Sequence, residues 1–318
     1  RLEQLDRYVA GLGTSDEDER NRLRARVYKS CRQSVIPRGL VSCDSPVGSG
    51  KTTAVMAHLL RTAAENGMRR IFVVLPYTNI ISQSVDVYRS CLVLPDENAE
   101  RVVAAHHHRA EFTDPETRHL TYLWEAPIIV TTAVQFFETL AAARTGSLRK
   151  LHQLANSAVF IDESHAALPS HLWPVAWKWL QKLKEDWNCH FVLGSGSLSQ
   201  FWTLPEFSGS PVHLPSVVDS QPSQASHEYE TQRINYRCLS DPMSLESLID
   251  WVARMDGPRL LIVNTVQSAA FIAKEFEQRF GRPSVEHLST SIMPIDRETT
   301  LRRVRSRLAD VKDTDWTL

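Results

Sequence analysis

A chain of 318 residues, 42% of them hydrophobic and 23% charged, has the length of about two domains and enough apolar content to bury proper cores. Its 36 basic and 37 acidic residues leave a net charge of −1, so a nucleic-acid partner would have to be held by local patches and not by a global field. The five cysteines (Cys31, Cys43, Cys91, Cys189, Cys238) are scattered without a C-x-x-C pair, which speaks against a zinc ribbon or disulfide framework, and no apolar run approaches the ~20 residues of a membrane span.

The N-terminus "RLEQLDRYVA" has no signal-peptide core, and a reducing, cytoplasmic setting without membrane contact is expected. The first residue is Arg1, not Met, which suggests a missing start. Helical patterns run near 2–12 and 17–34, the second placing Leu23, Val27 and Cys31 four apart on one face. These make an N-terminal lead-in over 1–35. From 36 to 204 the period changes to short β-branched runs: "GLVSCD", "RIFVVLP", "RVVAAH", "PIIVTT", "AVFIDE" and "CHFVLGS". Each is followed by a loop or a helical pattern, as in βαβ units around a parallel sheet. The segment 205–239, rich in Pro, Ser and Gln, reads as a connection, with "VHL" and "HEYETQRI" as possible edge strands. A second α/β pattern occupies 240–318: a helix near 244–255, the strand "RLLIVNT", a helix over 266–280, the strand "SVEHLS" and an Arg-rich helix after Pro294. It is about half of a typical domain.

The chemistry starts at "SPVGSGKTT". It fits the phosphate-loop pattern G-x-x-x-x-G-K-[ST] except that Ser45 stands first. Following a strand and opening a helix, Ser45, Pro46, Val47, Gly48, Ser49, Gly50, Lys51, Thr52 and Thr53 would surround the phosphates of a nucleotide with backbone N–H groups. Lys51 would bridge the β- and γ-phosphates, and the Thr52 hydroxyl would take a Mg²⁺ position. In "AVFIDESH", Asp162 and Glu163 leave the C-terminal end of a buried strand, where ligands bind in open α/β sheets. Asp162 suits holding Mg²⁺ indirectly, through the water bound to it, and Glu163 suits polarising an attacking water. The sequence contains no N-K-x-D motif for guanine.

These motifs resemble those of superfamily 2 helicases, whose cradle A-P-T-G-S-G-K-T often lacks the first glycine. "DESH" is similar to the D-E-x-H box, with His165 as its last residue. "LPYTNIISQ" and "VTTAVQFFETL" look like the next two motifs, and "GSGSLSQFW" stands where Ser-Ala-Thr is expected. "LLIVNTVQSAAFIAKEF" and "EHLSTSIMPIDR" resemble the opening of a second RecA-like domain, specifically in the helicase of the CRISPR-associated helicase-nuclease of type I interference. "NRLRARVYKSC" is similar to that family's lead-in.

The resemblance implies a RecA-like ATPase domain followed by part of a second one, with ATP and Mg²⁺ as cofactors. It implies Lys51, Asp162, Glu163 and His165 as the catalytic set, with His165 coupled to Ser195, Gly196 and Ser197. It further implies single-stranded DNA on Thr78, Thr131, Thr132, Asn264 and Thr265, and recruitment by an RNA-guided surveillance complex. Outside their motifs these five read as capping or turn residues. Two departures stand out: Ser-Gly-Ser replaces Ser-Ala-Thr, which puts the strength of coupling in question, and Val47 replaces Thr. No His-Asp dipeptide occurs, so a nuclease centre would lie on another chain or in a missing portion. Two later helicase motifs, with their γ-phosphate arginines, do not follow Arg297, and slow hydrolysis without unwinding is expected. Another superfamily 2 motor, such as an RNA helicase or restriction translocase, and an ATP-gated interaction module remain open as alternatives.

Three further features are set apart from the chemistry. His106, His107 and His108 alternate faces if in a strand, so a loop surface is expected there, not a metal site. Trp173 and Trp177, four apart, read as the buried stripe of a helix. Arg297, Arg302, Arg303, Arg305 and Arg307 read as a solvated helix face.

Overall fold

The computed structural model describes residues 1–12, 18–106, 115–143 and 145–318. The chain divides into two compact units, Arg1–Asn235 and Tyr236–Leu318.

In the first unit, helices α1 (Leu2–Leu12) and α2 (Glu19–Gln33) precede strand β1 (Leu40–Asp44). There follow α3 (Lys51–Glu65), β2 (Arg70–Leu75), α4 (Asn79–Leu92), α5 (Ala99–Val102), β3 (Val103–His106), α6 (Pro115–Tyr122) and β4 (Ile128–Thr132). Next come α7 (Ala133–Leu140), α8 (Thr145–Leu151), β5 (Ser157–Ile161), α9 (Ser164–Ala167), α10 (Trp173–Asp186), β6 (His190–Ser195), α11 (Pro205–Ser208) and α12 (Ser220–Gln232). The six strands form one all-parallel sheet in the order β1-β6-β5-β2-β4-β3. It is the RecA-like arrangement expected from the sequence.

The pleat explains why the strands read as unbroken apolar runs. Along β2, Ile71, Val73 and Leu75 join one core with Leu5, Val27, Leu59 and Val85 of α1 to α4. Phe72 and Val74 point the other way, into a core with Phe136 of α7 and Trp173, Trp177 and Leu180 of α10. The tryptophan stripe is therefore buried as expected. Asp18 starts α2 by accepting from the N–H of Arg20.

The connecting stretch does not form the edge strands allowed by its sequence. "HEYETQ" lies in α12, whose Pro222 and Ser226 are buried, and few β-branched residues oppose the helix. Just before it, Ser216 bridges Ser42 in parallel, with Ser42 N–H donating to Pro215 O (2.8 Å) and Val217 N–H to Ser42 O (2.9 Å). Val217 and Val218 are buried in the core beside α2 and α3. Residues 215–217 thus flank the free side of β1.

In the second unit, α13 (Leu245–Ala253), α14 (Val266–Phe280) and α15 (Pro294–Ala309) accompany a small core of Ile249, Val252, Ile272, Phe276 and Val285. The expected strands "RLLIVNT" and "SVEHLS" are reduced to isolated bridges: Arg259 and Val285 each bridge Thr317 in parallel. Residues 316–318 lie between them through Arg259 N–H to Trp316 O (3.0 Å), Leu261 N–H to Leu318 O (2.9 Å) and Glu286 N–H to Thr317 O (2.8 Å). With so short a ladder, Leu260 (66% exposed) and Ile262 (81%) are not covered as in a buried parallel strand. The arginines of α15 are not simply solvated. Arg303 and Arg307 grip the buried Glu286 at 2.9 and 3.7 Å, and Arg307 also pairs with Asp313.

Candidate nucleotide site

Strand order sets the site. β1, β6 and β5 are neighbours, so the loops after them, carrying the cradle, Ser195–Ser197 and Asp162–Glu163, emerge side by side. Gly48 (φ +87°) and Gly50 (φ +80°) adopt the left-handed conformation that turns the cradle into the 15-residue helix α3. Ser45, the residue in place of the first glycine, is buried. Its hydroxyl donates to Ser49 Oγ (2.7 Å), and its N–H donates to Ser195 O (3.3 Å). Thr53 Oγ1 returns to Gly50 O (3.0 Å), which leaves Thr52 as the half-buried hydroxyl at the helix start.

Lys51 Nζ stands 2.8 Å from Asp162 Oδ1 and 2.9 Å from Glu163 Oε1. Burial pulls the Lys51 pKa down, but the charges and hydrogen bonds of the two carboxylates outweigh it and leave the ammonium more firmly protonated than usual. The carboxylates diverge. Burial lifts Asp162 above the ordinary range despite Lys51, whereas for Glu163 hydrogen bonds from Lys51 and Ser195 overcome burial and hold it below. Glu163 sits in the left-handed region (φ +46°, ψ +50°), a strained position for a non-glycine residue.

From Glu163 the hydrogen bonds continue to Ser195 and Ser197. Ser195 Oγ donates to Glu163 Oε2 (2.8 Å) and lies 3.0 Å from His165 Nδ1, while Ser197 N–H donates to Ser195 Oγ (3.1 Å). The two departures from the helicase pattern touch each other. A Cβ on Gly196 would lie 3.0 Å from Val47 Cγ2 and 3.3 Å from Val47 N, so the glycine fits a valine-bearing cradle where alanine would press on it.

A cavity of about 610 Å³ opens beside the cradle, lined by Gly48, Lys51, Thr52, Asp162 and Glu163, and by Tyr8, Asn21, Arg24 and Tyr28 of α1 and α2. The α2 residues belong to no phosphate motif. Their spacing Asn21, Arg24, Tyr28 (i, i+3, i+7) is the signal, since it places all three on one helix face. Arg24 Nε donates to Gly48 O (2.7 Å) and Nη1 to Asn21 Oδ1 (3.1 Å).

The five residues expected at nucleic acid are placed as follows. Thr131 is fully buried and donates to His106 O (2.9 Å); Thr132 caps α7 by accepting from Gln135 N–H (3.1 Å). Thr78 is half-buried before α4. In the second unit Asn264 and Thr265 are exposed, and Thr265 caps α14 by accepting from Ser268 N–H (3.0 Å). His106 is buried and accepts from Trp124 Nε1 (3.1 Å), while His107 and His108 lie outside the described residues. Among the described residues no cluster of three or more His, Cys, Asp or Glu could hold a metal by itself, and no helix is long and apolar enough to cross a membrane.

Comparison with known proteins bears on the same loops. The chain is 24% identical, over 91% of its length, to the CRISPR-associated nuclease/helicase Cas3 of Haloferax volcanii, and spans 38% of that protein. Its fold is similar to the crystal structure of T. fusca Cas3 with AMPPNP (TM-score 0.62, 18% identity, 93% of this chain and 39% of that one). It is also similar to the DUF1998 helicase MrfA bound to DNA (TM-score 0.58, 15% identity, 99% of this chain and 44% of that one). The DEAD/DEAH box helicase profile matches residues 27–201, more than half of the chain and all three loops that meet at Lys51. This chain belongs to the DEAD/DEAH box helicase family.

Proposed function

We propose that the chain is an ATP-driven motor that moves on single-stranded DNA in a CRISPR type I defence system, delivered by an RNA-guided surveillance complex. The observation that carries the ATPase part is Lys51 held between Asp162 and Glu163, with Glu163 linked through Ser195 to His165. The CRISPR part is supported by the similarity to Cas3 along 91% of the chain.

The residues present fit a magnesium nucleoside triphosphate. The glycine-turned cradle at a helix N-terminus suits phosphate, and one hydroxyl and one carboxylate, Thr52 and Asp162, are the small protein donor set that Mg²⁺ takes beside phosphates. ATP supplies the phosphoanhydride, and Mg²⁺ offsets its charge. Lys51 would exchange its carboxylate contacts for phosphate oxygens. Glu163, freed from the ammonium and held as a carboxylate, would orient a water through one oxygen while the other keeps the Ser195 hydroxyl. Ser195 would thereby report the state of Glu163 to His165 and Ser197. Thr78, Thr131, Thr132, Asn264 and Thr265 are proposed to line the path of the strand, Thr131 and Thr132 by shaping the loop after β4.

Phosphate release with and without single-stranded DNA tests this reading. Glu163→Gln should retain nucleotide affinity while hydrolysis slows, and Lys51→Ala should weaken binding itself. Equal affinity in Lys51→Ala and the parent would mean that the cradle does not hold the phosphates. Stimulation by RNA in place of DNA would favour another superfamily 2 motor, and nucleotide binding with none of even the slow, DNA-responsive hydrolysis expected of this chain would favour an ATP-gated module.

A further inference from the structure

The cradle is held from behind as well as from the sheet. One turn before Arg24 on α2, Arg20 lays its guanidinium against Gly48: a Cβ there would run into Arg20 Nη2 and stand 3.1 Å from Cζ. Gly48 is therefore needed for this approach as well as for its positive φ. Arg20 Nε is buried, without an aligned hydrogen bond, and its charge is met by Glu230 Oε1 of α12 at 3.0 Å. The same helix reaches the cradle's strand. Ser223 Oγ donates to the carbonyl of Asp44, the last residue of β1 (3.0 Å), and His227 Nε2 stands 3.6 Å from Asp44 Oδ1. Its N-terminus is tied to α2, where Ser30 Oγ donates to Asp219 Oδ2 (2.8 Å) and accepts from Asp219 N–H (2.7 Å).

α12 is the last helix of the first unit, ending shortly before Asn235. We propose that α12 is a nucleotide-responsive latch: a polyphosphate in the cradle and α12 docked through the Glu230–Arg20–Gly48 contact stabilise one another. This rests on the nucleotide reading above and adds the element that senses it. The physical reason is shared structure. Arg24 holds the carbonyl of Gly48, the turn that shapes the cradle, Arg20 lies against the same glycine, and both bring positive charge to a loop that would receive phosphate. Glu230 keeps Arg20 in place. Linkage then works both ways: whatever docking of α12 does for nucleotide affinity, nucleotide does for docking. The chain leading into the second unit would thus be firmest when the cradle is filled.

Hydrogen exchange over 220–232, measured on the full chain with and without mant-ADP and Mg²⁺, tests the latch together with mant-ADP titrations. In the parent, nucleotide should slow exchange there by about fivefold or more, the lower range of typical site coupling. In Glu230→Gln and Arg20→Gln the slowing should shrink below about twofold, and the Kd for mant-ADP should rise by the factor lost. Exchange over α10, remote from the contact, reports that each variant is folded. If mant-ADP binds the parent and Lys51→Ala weakens it, yet exchange over 220–232 does not respond, the latch is refuted and the nucleotide site stands. If mant-ADP does not bind the parent, the nucleotide reading fails and the latch with it.

Discussion

Acidification should unlock a buried pair of histidines on which the joint between α2, α3, β1 and β6 depends. Gly39 N–H donates to His190 Nδ1 (3.1 Å), which puts the His190 proton on Nε2. That proton faces His58 Nε2 at 2.9 Å, so the His58 proton sits on Nδ1 and is donated to Ser34 Oγ (2.7 Å), which in turn donates to Cys31 O (3.1 Å). Every donor has one acceptor, and a further proton on either ring would set two donors against each other. Both side chains are buried. Burial, reinforced by Arg61, lowers His58 to about 4, and burial, reinforced by His58 and Arg38, lowers His190 to about 3. Folded, both stay neutral; unfolded, both take up protons near pH 6.5. The unfolded chain therefore binds more protons at low pH, and the stability present above about pH 6.5 is lost as pH falls towards 4. Between pH 7 and 5 the loss is about 2 kcal/mol per histidine, or about 4 kcal/mol for the pair, a large share of a typical domain's stability. Urea unfolding followed by the emission of the buried tryptophans, at the two pH values, measures it against the double variant His58→Gln/His190→Gln. The parent should lose about 4 kcal/mol more than the variant. Equal losses, or a histidine resonance of either residue titrating near pH 6.5 in the folded protein, would refute this order of protons along the chain of hydrogen bonds.

Gly196→Ala, which sets a methyl 3.0 Å from Cγ2 of the exposed Val47, should cost no more than about 1 kcal/mol because that side chain can give way, and Val47→Ala in the same chain should recover part of it, as thermal unfolding of the single and double variants would show. Trp177→Ala, which empties the core between α10 and the sheet, should cost about 3–5 kcal/mol in urea unfolding of the first unit. Arg24→Ala, which frees the Gly48 carbonyl, should weaken mant-ADP binding without changing the unfolding midpoint by more than a few degrees. Glu286→Gln should destabilise the second unit by about 2 kcal/mol, because the charged partner of Arg303 and Arg307 is lost from a buried position.

The parts of the fold legible in the sequence were those where local pattern and tertiary demand agree. The six strands of the first unit are mostly apolar because both faces of a parallel sheet are buried, so runs such as Ile71–Leu75 could not be mistaken for polar loops. The convergence of Lys51 with Asp162 and Glu163 followed from a motif whose spacing encodes its strand–loop–helix setting. What escaped was set by partners distant in sequence. The helix over 220–232 is stabilised by Ser30 and Arg20, some two hundred residues away, and no local period announces that. Likewise "RLLIVNT" has strand composition, yet its ladder is limited to the few pairings that 316–318 provide. The reason for glycine in Ser-Gly-Ser could not be seen without knowing that Val47 faces it.

The short backbone pairing of 215–217 along β1 has a practical corollary for anyone excising the first sheet. A fragment cut at Leu204 would strip the guard from the strand that carries the phosphate loop, baring its amides and carbonyls to another molecule's edge. Such a fragment should self-associate, whereas one extended through Gln232 keeps its flank covered and should be the better-behaved unit to handle.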